Sequence, residues 1–320
     1  MSRFTALAVS ARRLPASLRR LLHDALSAYL TLIRLMVPAL IIVKTLDMMG
    51  GTRLLAGLLE PVMRLVGLPA EAGIVWAAAM LTSIYTGLAI FADLSLDTPL
   101  TIAQVSVLGT MILVAHSLPV EGAIAKATGV SWPATLLIRM GGALVLGALL
   151  HVFYSGTGTL QEPSAMLWRP EPADPSLLAW ALGQLRSLAM IFVIIVSLMA
   201  LLRLLKALGI ERLMHALLAP LLRLIGIGRE ASNVTIIGFT LGLSIGAGLL
   251  IREVRTGSLS RRDIFLTMAF LGLCHSVIED TLLIVLMGAD LSAILWTRLA
   301  FAILVTALLA RLGRRIPALQ

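Results

Sequence analysis

The stretch that decides the fold of this chain occurs in it twice: KTLDMMGGTRLLAGLLEPVMRLVGLPAEAG at 44–73 and RLLKALGIERLMHALLAPLLRLIGIGREAS at 203–232. The two stretches align without a gap at an offset of 159 residues. The same offset reaches a matched His-Ser dipeptide at 116–117 and 275–276. Since the chain has only five histidines, this match is far less expected by chance than a match between leucines. The sequence therefore contains two copies of one unit.

The composition indicates that this unit folds in lipid. Of the 320 residues, 59% are hydrophobic and only 13% are charged, whereas soluble domains have about 25% charged residues. The net charge of +9 does not predict nucleic-acid binding, because the basic residues lie at the ends of apolar segments, where they set membrane topology. The single cysteine, Cys274, excludes a disulfide framework and a cysteine-only zinc site.

Each copy is predicted to contain the same helical pieces in the same order. A long apolar helix precedes a short amphipathic helix of the kind that lies in the membrane interface. Next come a piece broken by TSIYTG or LSIGAG, a long segment interrupted at HSLPVEG or HSVIED, and a closing helix. The predicted pieces are Ser27–Met49, Thr52–Val66, Glu71–Asp93, Pro99–Lys126 and Trp132–Phe153 in the first copy, and Leu185–Leu208, Glu211–Ile225, Glu230–Ile251, Ser260–Met287 and Leu291–Ala310 in the second.

Loop charges predict that the two copies have opposite orientations. The loop DLSLDTPL at 93–100 is acidic, whereas the aligned loop REVRTGSLSRRD at 252–263 is strongly basic. Because positive loops stay in the cytoplasm, equivalent loops of opposite charge lie on opposite sides of the membrane. The broken piece must then be a re-entrant hairpin rather than a span. The other loops agree: Glu162, Glu171 and Asp174 fall outside, and Arg311, Arg314 and Arg315 fall inside.

The predicted protein is an all-α polytopic protein of a bacterial inner membrane, with both termini cytoplasmic. It has two inverted-topology repeats, each with three spanning helices, one interfacial helix and one re-entrant hairpin. The boundaries are a basic cytoplasmic segment at 1–26, the first repeat at 27–154, an external loop and helix start at 155–184, the second repeat at 185–311 and a cytoplasmic tail at 312–320.

The interruptions are the predicted functional site, since inverted repeats with broken helices are the recurrent plan of secondary transporters, whose sites lie near midplane. Both long interruptions share the pattern His-Ser-x-x-x-acid. The candidate metal ligands are His116, Glu121, His275, Glu279 and Asp280. The candidate substrate-binding residues are Thr82, Ser83, Tyr85, Thr86, Ser117, Glu121, Ser244, Ser276 and Asp280.

Several chemistries fit these residues. Two imidazoles with carboxylates can ligate a divalent transition metal. They can equally relay protons or hold an organic cation, or they can simply satisfy each other in a polar helix contact. The matched Arg139 and Arg298 of the closing helices are expected to pair with an acidic residue of the break. Neither a G-x-x-x-x-G-K-[ST] phosphate loop nor an H-E-x-x-H motif occurs, so we expect no enzyme and no cofactor, with a bound metal only as substrate.

The order of the pieces, together with TSIYTG, LSIGAG, HSLPVEG and HSVIED, resembles the Gate, or nucleoside recognition, domain family. The resemblance extends from about Ser27 to Arg311, as two fused Gate units. Similar units occur in concentrative nucleoside transporters, in the membrane part of ferrous iron transporter B and in the paired spore maturation proteins A and B. In the nucleoside transporters the tips and breaks hold the substrate, which implicates 82–87, 116–121, 244–248 and 275–280 here. This chain departs from them in its two break histidines, and it departs from the iron transporter in lacking a GTPase domain.

The leading hypothesis is a secondary-type transporter of a small cationic solute, with a divalent metal ion as the best candidate. A permease for nucleosides or other polar organic solutes is the alternative, favoured by the hydroxyl-rich tip around Tyr85. A non-transport protein for membrane assembly or partner recognition is the third. The expected partners are the lipid bilayer and a small solute or ion, without nucleic acid, and the sequence leaves a homo-oligomer open.

Overall fold

The computed structural model describes residues 16–93, 99–167 and 176–313, and only the backbone of residues 16, 17, 211, 241, 243–245 and 247. Several charged positions used for the topology prediction therefore lie outside the described residues: Asp97, Glu171, Asp174, Arg314, Arg315 and the basic residues of 1–15.

The described residues are almost entirely helical and contain no β-strand, which confirms the predicted all-α membrane fold. Helices α1 to α7 belong to the first copy and α8 to α14 to the second, so each helix has its mate seven numbers later. Helix α7 contains a π-helical turn at Leu137–Gly141, and α14 begins with one at Ser292–Thr297. The helices are α1 Ala16–Met48, α2 Gly51–Leu65, α3 Ala72–Leu81, α4 Ile84–Asp93, α5 Ile102–Val114, α6 Leu118–Ala127, α7 Trp132–Thr157, α8 Leu177–Ala207, α9 Ile210–Leu224, α10 Arg229–Leu241, α11 Leu243–Thr256, α12 Arg261–Leu273, α13 Glu279–Leu286 and α14 Ser292–Gly313.

Among the described residues, five helical segments are long and apolar enough to cross a membrane, one fewer than predicted, and one of the five, Ile102–Ala127, is itself interrupted between α5 and α6. The missing one is Ser260–Met287, which is divided by the break at 274–278. Its halves, α12 and α13, have 13 and 8 residues, and at 1.5 Å per residue neither reaches the ~30 Å of a hydrocarbon core. This segment can cross a membrane only as a pair of half-helices.

Two helices begin earlier than predicted. Helix α1 begins at Ala16 rather than near Ser27, because 16–26 contains helix-favouring leucine, arginine and alanine and no glycine or proline. Helix α8 begins at Leu177 rather than Leu185, since the Ser176 side chain accepts a hydrogen bond from the Ala179 N–H at 3.2 Å and caps the helix there.

The broken middle pieces fold as helical hairpins. Helices α3 and α4 have 10 residues each, so each arm is only about 15 Å long. The two arms pack closely, since a Cβ on Gly87 of α4 would lie 2.9 Å from the Ala79 Cβ of α3. In the second copy, a Cβ on Gly246 of α11 would lie 2.7 Å from the Gly238 Cα of α10. Glycine at these positions lets the arms of each hairpin touch.

The repeat recurs in the backbone conformation. Ser117 and Ser276 adopt left-handed conformations, with φ of 48° and 46°. Such values are uncommon outside glycine and mark positions where the surrounding structure overrides local preference. Glycines at matched positions share the property: Gly50 and Gly209, Gly67 and Gly226, Gly129 and Gly288.

The chain divides into two compact units, with a boundary at Pro38 inside α1. The described part of the first unit is 16–38 and 176–210. In it, the Tyr29 hydroxyl donates to the Leu188 carbonyl at 3.0 Å, and Arg203 pairs with Asp24 at 2.6 Å.

The second unit contains every other described helix. Its core is formed by the two broken helices, in which 105–114 of α5 and 266–273 of α12 are completely buried. The helix ends that flank the breaks are therefore the most enclosed part of this unit.

We predict that Gly246→Ala lowers the free energy of unfolding by about 1–3 kcal/mol, because the added methyl group overpacks the contact with the Gly238 backbone. Thermal unfolding in detergent measures the effect. Gly248→Ala is the matched control in the same helix, since a Cβ there meets nothing within 4 Å. Equal effects of the two substitutions would contradict close packing of the hairpin arms.

Candidate functional site

The two breaks are held in place by the hairpin of their own copy. In the first copy, the Ser117 N–H donates to the Ala79 carbonyl at 3.0 Å and the Ser117 hydroxyl donates to the Thr82 carbonyl at 2.8 Å. In the second copy, the Val277 N–H donates to the Phe239 carbonyl at 2.9 Å. Half-helix ends leave backbone groups without a partner inside the helix. Here, carbonyls at the end of the first hairpin arm accept hydrogen bonds from the donors of the break.

The two histidines cap the helices that stop at the breaks. His116 Nδ1 lies 3.0 Å from the Ile112 carbonyl oxygen, and His275 Nδ1 lies 2.7 Å from the Leu271 carbonyl oxygen. Each carbonyl is four residues earlier, where a continuing helix would supply a backbone N–H. Since a carbonyl only accepts, Nδ1 must carry the proton and donate. In a neutral imidazole, Nε2 is then left as an acceptor.

The acceptor nitrogens of the two copies face each other. His116 Nε2 and His275 Nε2 are 3.3 Å apart, and both side chains are buried. Glu121 Oε1 lies 3.3 Å from each Nε2 atom, and Asp280 Oδ2 lies 3.8 Å from each. Asp280 Oδ2 is also buried without a hydrogen-bond donor. Converging acceptors at low dielectric repel one another unless a proton or a cation lies between them, so this cluster requires a proton on an imidazole or a carboxyl group, or a bound metal ion.

The geometry suits a metal ion. Donor atoms of His116, His275 and Asp280 all lie within 4.8 Å of one another. A tetrahedral ion with bonds of about 2.0–2.1 Å separates its ligand atoms by roughly 3.3 Å, which is the distance between the two Nε2 atoms. The hydrogen bond from each Nδ1 to a carbonyl is the outer-shell contact that typically orients metal-binding imidazoles.

The two buried arginines bind the carbonyl ends of the broken helices. Arg139 Nε donates to the Val114 carbonyl at 2.9 Å, and Arg298 Nε donates to the Leu273 carbonyl at 3.2 Å. Val114 and Leu273 are the last residues of α5 and α12, where the helix dipole favours a positive charge. Each arginine thus stabilises the helix end of its own copy, and Arg139 Nε also donates to the Gly272 carbonyl of α12 at 3.1 Å.

The arginines differ in their second contact. Arg139 Nη1 lies 2.5 Å from Glu121 Oε2, so its expected acidic partner is present. Arg298 Nη2 instead donates to the His275 carbonyl at 2.6 Å, and the expected pairing of Arg298 with an acidic residue is not formed. The carbonyls exposed by the break, which the sequence pattern does not reveal as acceptors, accept from Arg298 Nε and Nη2, whereas Arg298 Nη1 is buried without a hydrogen-bond partner. Asp280 has no arginine at bonding distance among the described residues.

Glu279 does not join the other candidate metal ligands. The four-residue spacing of His275 and Glu279 predicts one shared helix face, but the helix is broken at 274–278 and α13 begins only at Glu279. Its carboxylate instead accepts a hydrogen bond from the Tyr85 hydroxyl at 3.0 Å. This bond joins the hairpin of the first copy to the break of the second.

The remaining candidate hydroxyls are used within the hairpins and breaks. Thr82 donates to the Ala78 carbonyl at 2.6 Å, and the Ser83 and Thr86 hydroxyls lie 3.2 Å apart. Ser276 is buried against Gly242, whose Cβ position lies 2.7 Å from the Ser276 Oγ. The side chain of Ser244 lies outside the described residues.

The hairpin of the second copy also contains a pattern known from hydrolases. Residues 242–246, GLSIG, have the G-x-S-x-G spacing of a hydrolase nucleophile elbow. The elbow joins a strand to a helix, whereas this stretch joins helices α10 and α11. The local backbone therefore does not match the context that gives the motif its function.

Comparisons with known proteins match part of the second copy to a described family and most of the chain to a membrane protein. Residues 188–291 match the family model described as Gate: Nucleoside recognition. The match begins within α8 and ends at the residue before α14. The chain is also similar to an uncharacterized membrane protein, YvoD, of Bacillus subtilis (strain 168), with 28% identity over 288 residues that cover 89% of this chain and 91% of the relative. No solved structure matches the chain.

We predict that Arg139→Met destabilises the protein by about 3–5 kcal/mol, because it leaves the buried Glu121 carboxylate without its partner. The double variant Arg139→Met with Glu121→Gln should recover part of this loss. Unfolding of the four members of the double-mutant cycle measures the coupling. Additive effects of the two substitutions would rule out the ion pair.

Proposed function

We propose that this transporter-like membrane protein, whose residues 188–291 match the Gate, or nucleoside recognition, family model, is a secondary-type transporter of a small cationic solute. A divalent metal ion, carried as substrate, is the best candidate. The observation that supports the proposal is the convergence of two imidazole acceptors and two carboxylate oxygens in a buried cluster that holds no donor for Asp280 Oδ2.

The ligands of this cluster come from both copies. His116 and Glu121 follow α5, whereas His275 and Asp280 follow α12. A movement of one copy against the other would separate the two imidazoles and open the site, which is the principle of alternating access in repeat-built transporters. The Tyr85–Glu279 hydrogen bond also joins the copies, so such a movement would break it.

In the proposed topology, the protein lies in a bacterial inner membrane with both termini in the cytoplasm. The loop charges support this orientation: Arg252, Arg255, Arg261 and Arg262 follow the hairpin of the second copy, and the aligned loop of the first copy has no basic residue. We assign no catalytic role and no cofactor, and the oligomeric state remains open in this proposal.

A permease for nucleosides is the second candidate, favoured by the description of the matching family. The Tyr85 hydroxyl would be the contact for such a solute, because it lies on the hairpin tip beside the breaks. A membrane-assembly or partner-recognition protein is the third, and it requires no ligand at the cluster.

We predict that Zn²⁺, Mn²⁺, Co²⁺ or Fe²⁺ raises the melting temperature of the purified protein in a concentration-dependent way, since a ligand that binds only the folded state stabilises it by mass action. Removing both imidazoles with His116→Ala and His275→Ala should weaken metal binding by more than about 100-fold. Loss of a group that only orients a metal ligand costs about 10–100-fold, and the two imidazoles would bind the metal directly. Calorimetric titration and metal uptake by proteoliposomes measure the two effects.

The controls separate the three functions. Asp280→Asn removes the charge of the side chain and keeps its shape, so it tests the role of this carboxylate without creating a cavity. His23→Ala is the control, because it removes an exposed histidine that lies outside the cluster. Unchanged metal affinity in the double histidine variant would reject the metal site. Stabilisation by uridine or adenosine without any response to metals would establish the nucleoside permease instead, and no response to either class would favour the assembly protein.

A further inference from the structure

A cavity with a volume of about 530 Å³ lies between α9 and α10. Helix α9 lines it with His215, Ala219 and Arg223, which are spaced four residues apart and so share one helix face. None of the lining residues belongs to the two breaks, and none is acidic. The cavity is therefore a separate, basic feature of the second copy.

The wall formed by α10 changes character along the helix. Arg229, Ser232 and Asn233 line its first turns, and Ile236 and Ile237 line the next one. At 1.5 Å per residue, Arg229 and Ile236 are about 11 Å apart along the axis. The cavity thus has a cationic, hydrogen-bonding end and a mainly apolar end, where Thr240 also lines it with a hydroxyl that donates to the Ile236 carbonyl of its own helix at 2.8 Å.

In the matched place of the first copy, α2 and α3 are in close contact. A Cβ on Gly73 would lie 2.8 Å from the Leu59 Cβ and 3.2 Å from Met63 Cγ. The mate of Gly73 is Ser232, whose hydroxyl donates to the Gly228 carbonyl at 2.8 Å. A side chain at this position keeps α9 from packing on α10 as closely as α2 packs on α3.

The charges of the two copies also differ at this place. In the first copy, Arg64 pairs with Glu60 on the same helix. In the second copy Ala219 replaces that glutamate, and Arg223 Nε donates to the Ala219 carbonyl at 3.1 Å, which leaves its terminal nitrogens for another acceptor. Three further polar residues replace apolar ones: His215, Arg229 and Asn233 stand where the first copy has Ala56, Ala70 and Ile74.

We propose that this cavity binds the phosphate group of an anionic phospholipid, with Arg223 and Arg229 on the phosphate and the acyl chain along Ile236 and Ile237. Arginine recognises phosphate by charge-assisted hydrogen bonds. The Asn233 Oδ1 is 2.9 Å from His215 Nε2 and accepts from it, so the Asn233 amide N–H groups remain available as donors. A basic head-group end joined to an apolar end matches an amphiphile better than a small inorganic anion.

The predicted topology places this cavity in the leaflet where such lipids occur. Helix α9 is the amphipathic helix that follows α8, and the basic loop after α11 lies on the same predicted cytoplasmic side. Negative surface potential in that leaflet attracts basic segments. The site would anchor the hairpin of the second copy to lipid, whichever solute the protein carries.

The test compares the full chain in nanodiscs of phosphatidylcholine with and without phosphatidylglycerol, by native mass spectrometry and thermal unfolding. We expect retained phosphatidylglycerol and a higher melting temperature with the anionic lipid. The variant Ala219→Glu with Arg229→Ala gives the cavity the residues of the first copy at these two positions. Its affinity for phosphatidylglycerol should fall by at least about tenfold. Arg223→Gln with Arg229→Gln is a second variant that preserves side-chain size.

Arg64→Ala is the matched control, because this arginine occupies the same position in the first copy and is already paired. An equal loss of lipid binding in Arg64→Ala, no preference for phosphatidylglycerol, or unaltered binding in both cavity variants would overturn the proposal. Inorganic phosphate and glycerol phosphate, added to phosphatidylcholine nanodiscs, form the second arm. If they stabilise the native protein as well as the lipid does, the ligand is a soluble phosphate and the lipid assignment is wrong.

Discussion

A helix that stops halfway across a bilayer exposes backbone N–H and C=O groups that lipid cannot satisfy, and each unsatisfied group there costs several kcal/mol. This constraint applies twice in the present chain, at the ends of α5 and α12. Arginine and histidine side chains donate hydrogen bonds to the carbonyls at these helix ends. The N–H groups of the breaks donate to carbonyls of the hairpins. The packing of the second unit around the breaks follows from that requirement.

The candidate site arises from the same capping. An imidazole whose Nδ1 replaces the missing backbone donor must direct its Nε2 away from the helix end. Since both copies do this, the two Nε2 atoms meet, and the carboxylates of Glu121 and Asp280 approach them. Arg139 holds Glu121 in place by its other oxygen, whereas Asp280 has no such partner. The cluster is therefore asymmetric in charge although it is built from symmetric parts.

Periodicity and the repeat predicted most of the helical pieces from the sequence. The amphipathic helix at Thr52–Val66 was placed within one residue of α2, because its leucine spacing leaves no alternative. The breaks were found because a duplicated polar dipeptide stands out in an apolar chain. Contacts that depend on backbone groups were not predictable: the pairing of Arg298 with carbonyls and the release of Glu279 from the helix face of His275 both follow from where the helix stops. Hydropathy does not predict the early start of α1, because 16–26 contains the charged residues Arg19, Arg20 and Asp24 although its residues favour a helix.

The contact between His116 and His275 joins the same atom of two equivalent residues. Equivalent atoms of two copies touch where both lie close to the axis that relates the copies, as at the centre of a symmetric dimer interface. A chain with a single unit could build this contact only by pairing with an identical chain, and every substitution would then appear on both sides of the axis. Fusion of two units in one polypeptide removes that restriction. It allows a glutamate to face an aspartate across the cluster, and a glycine in one hairpin to become a serine in the other.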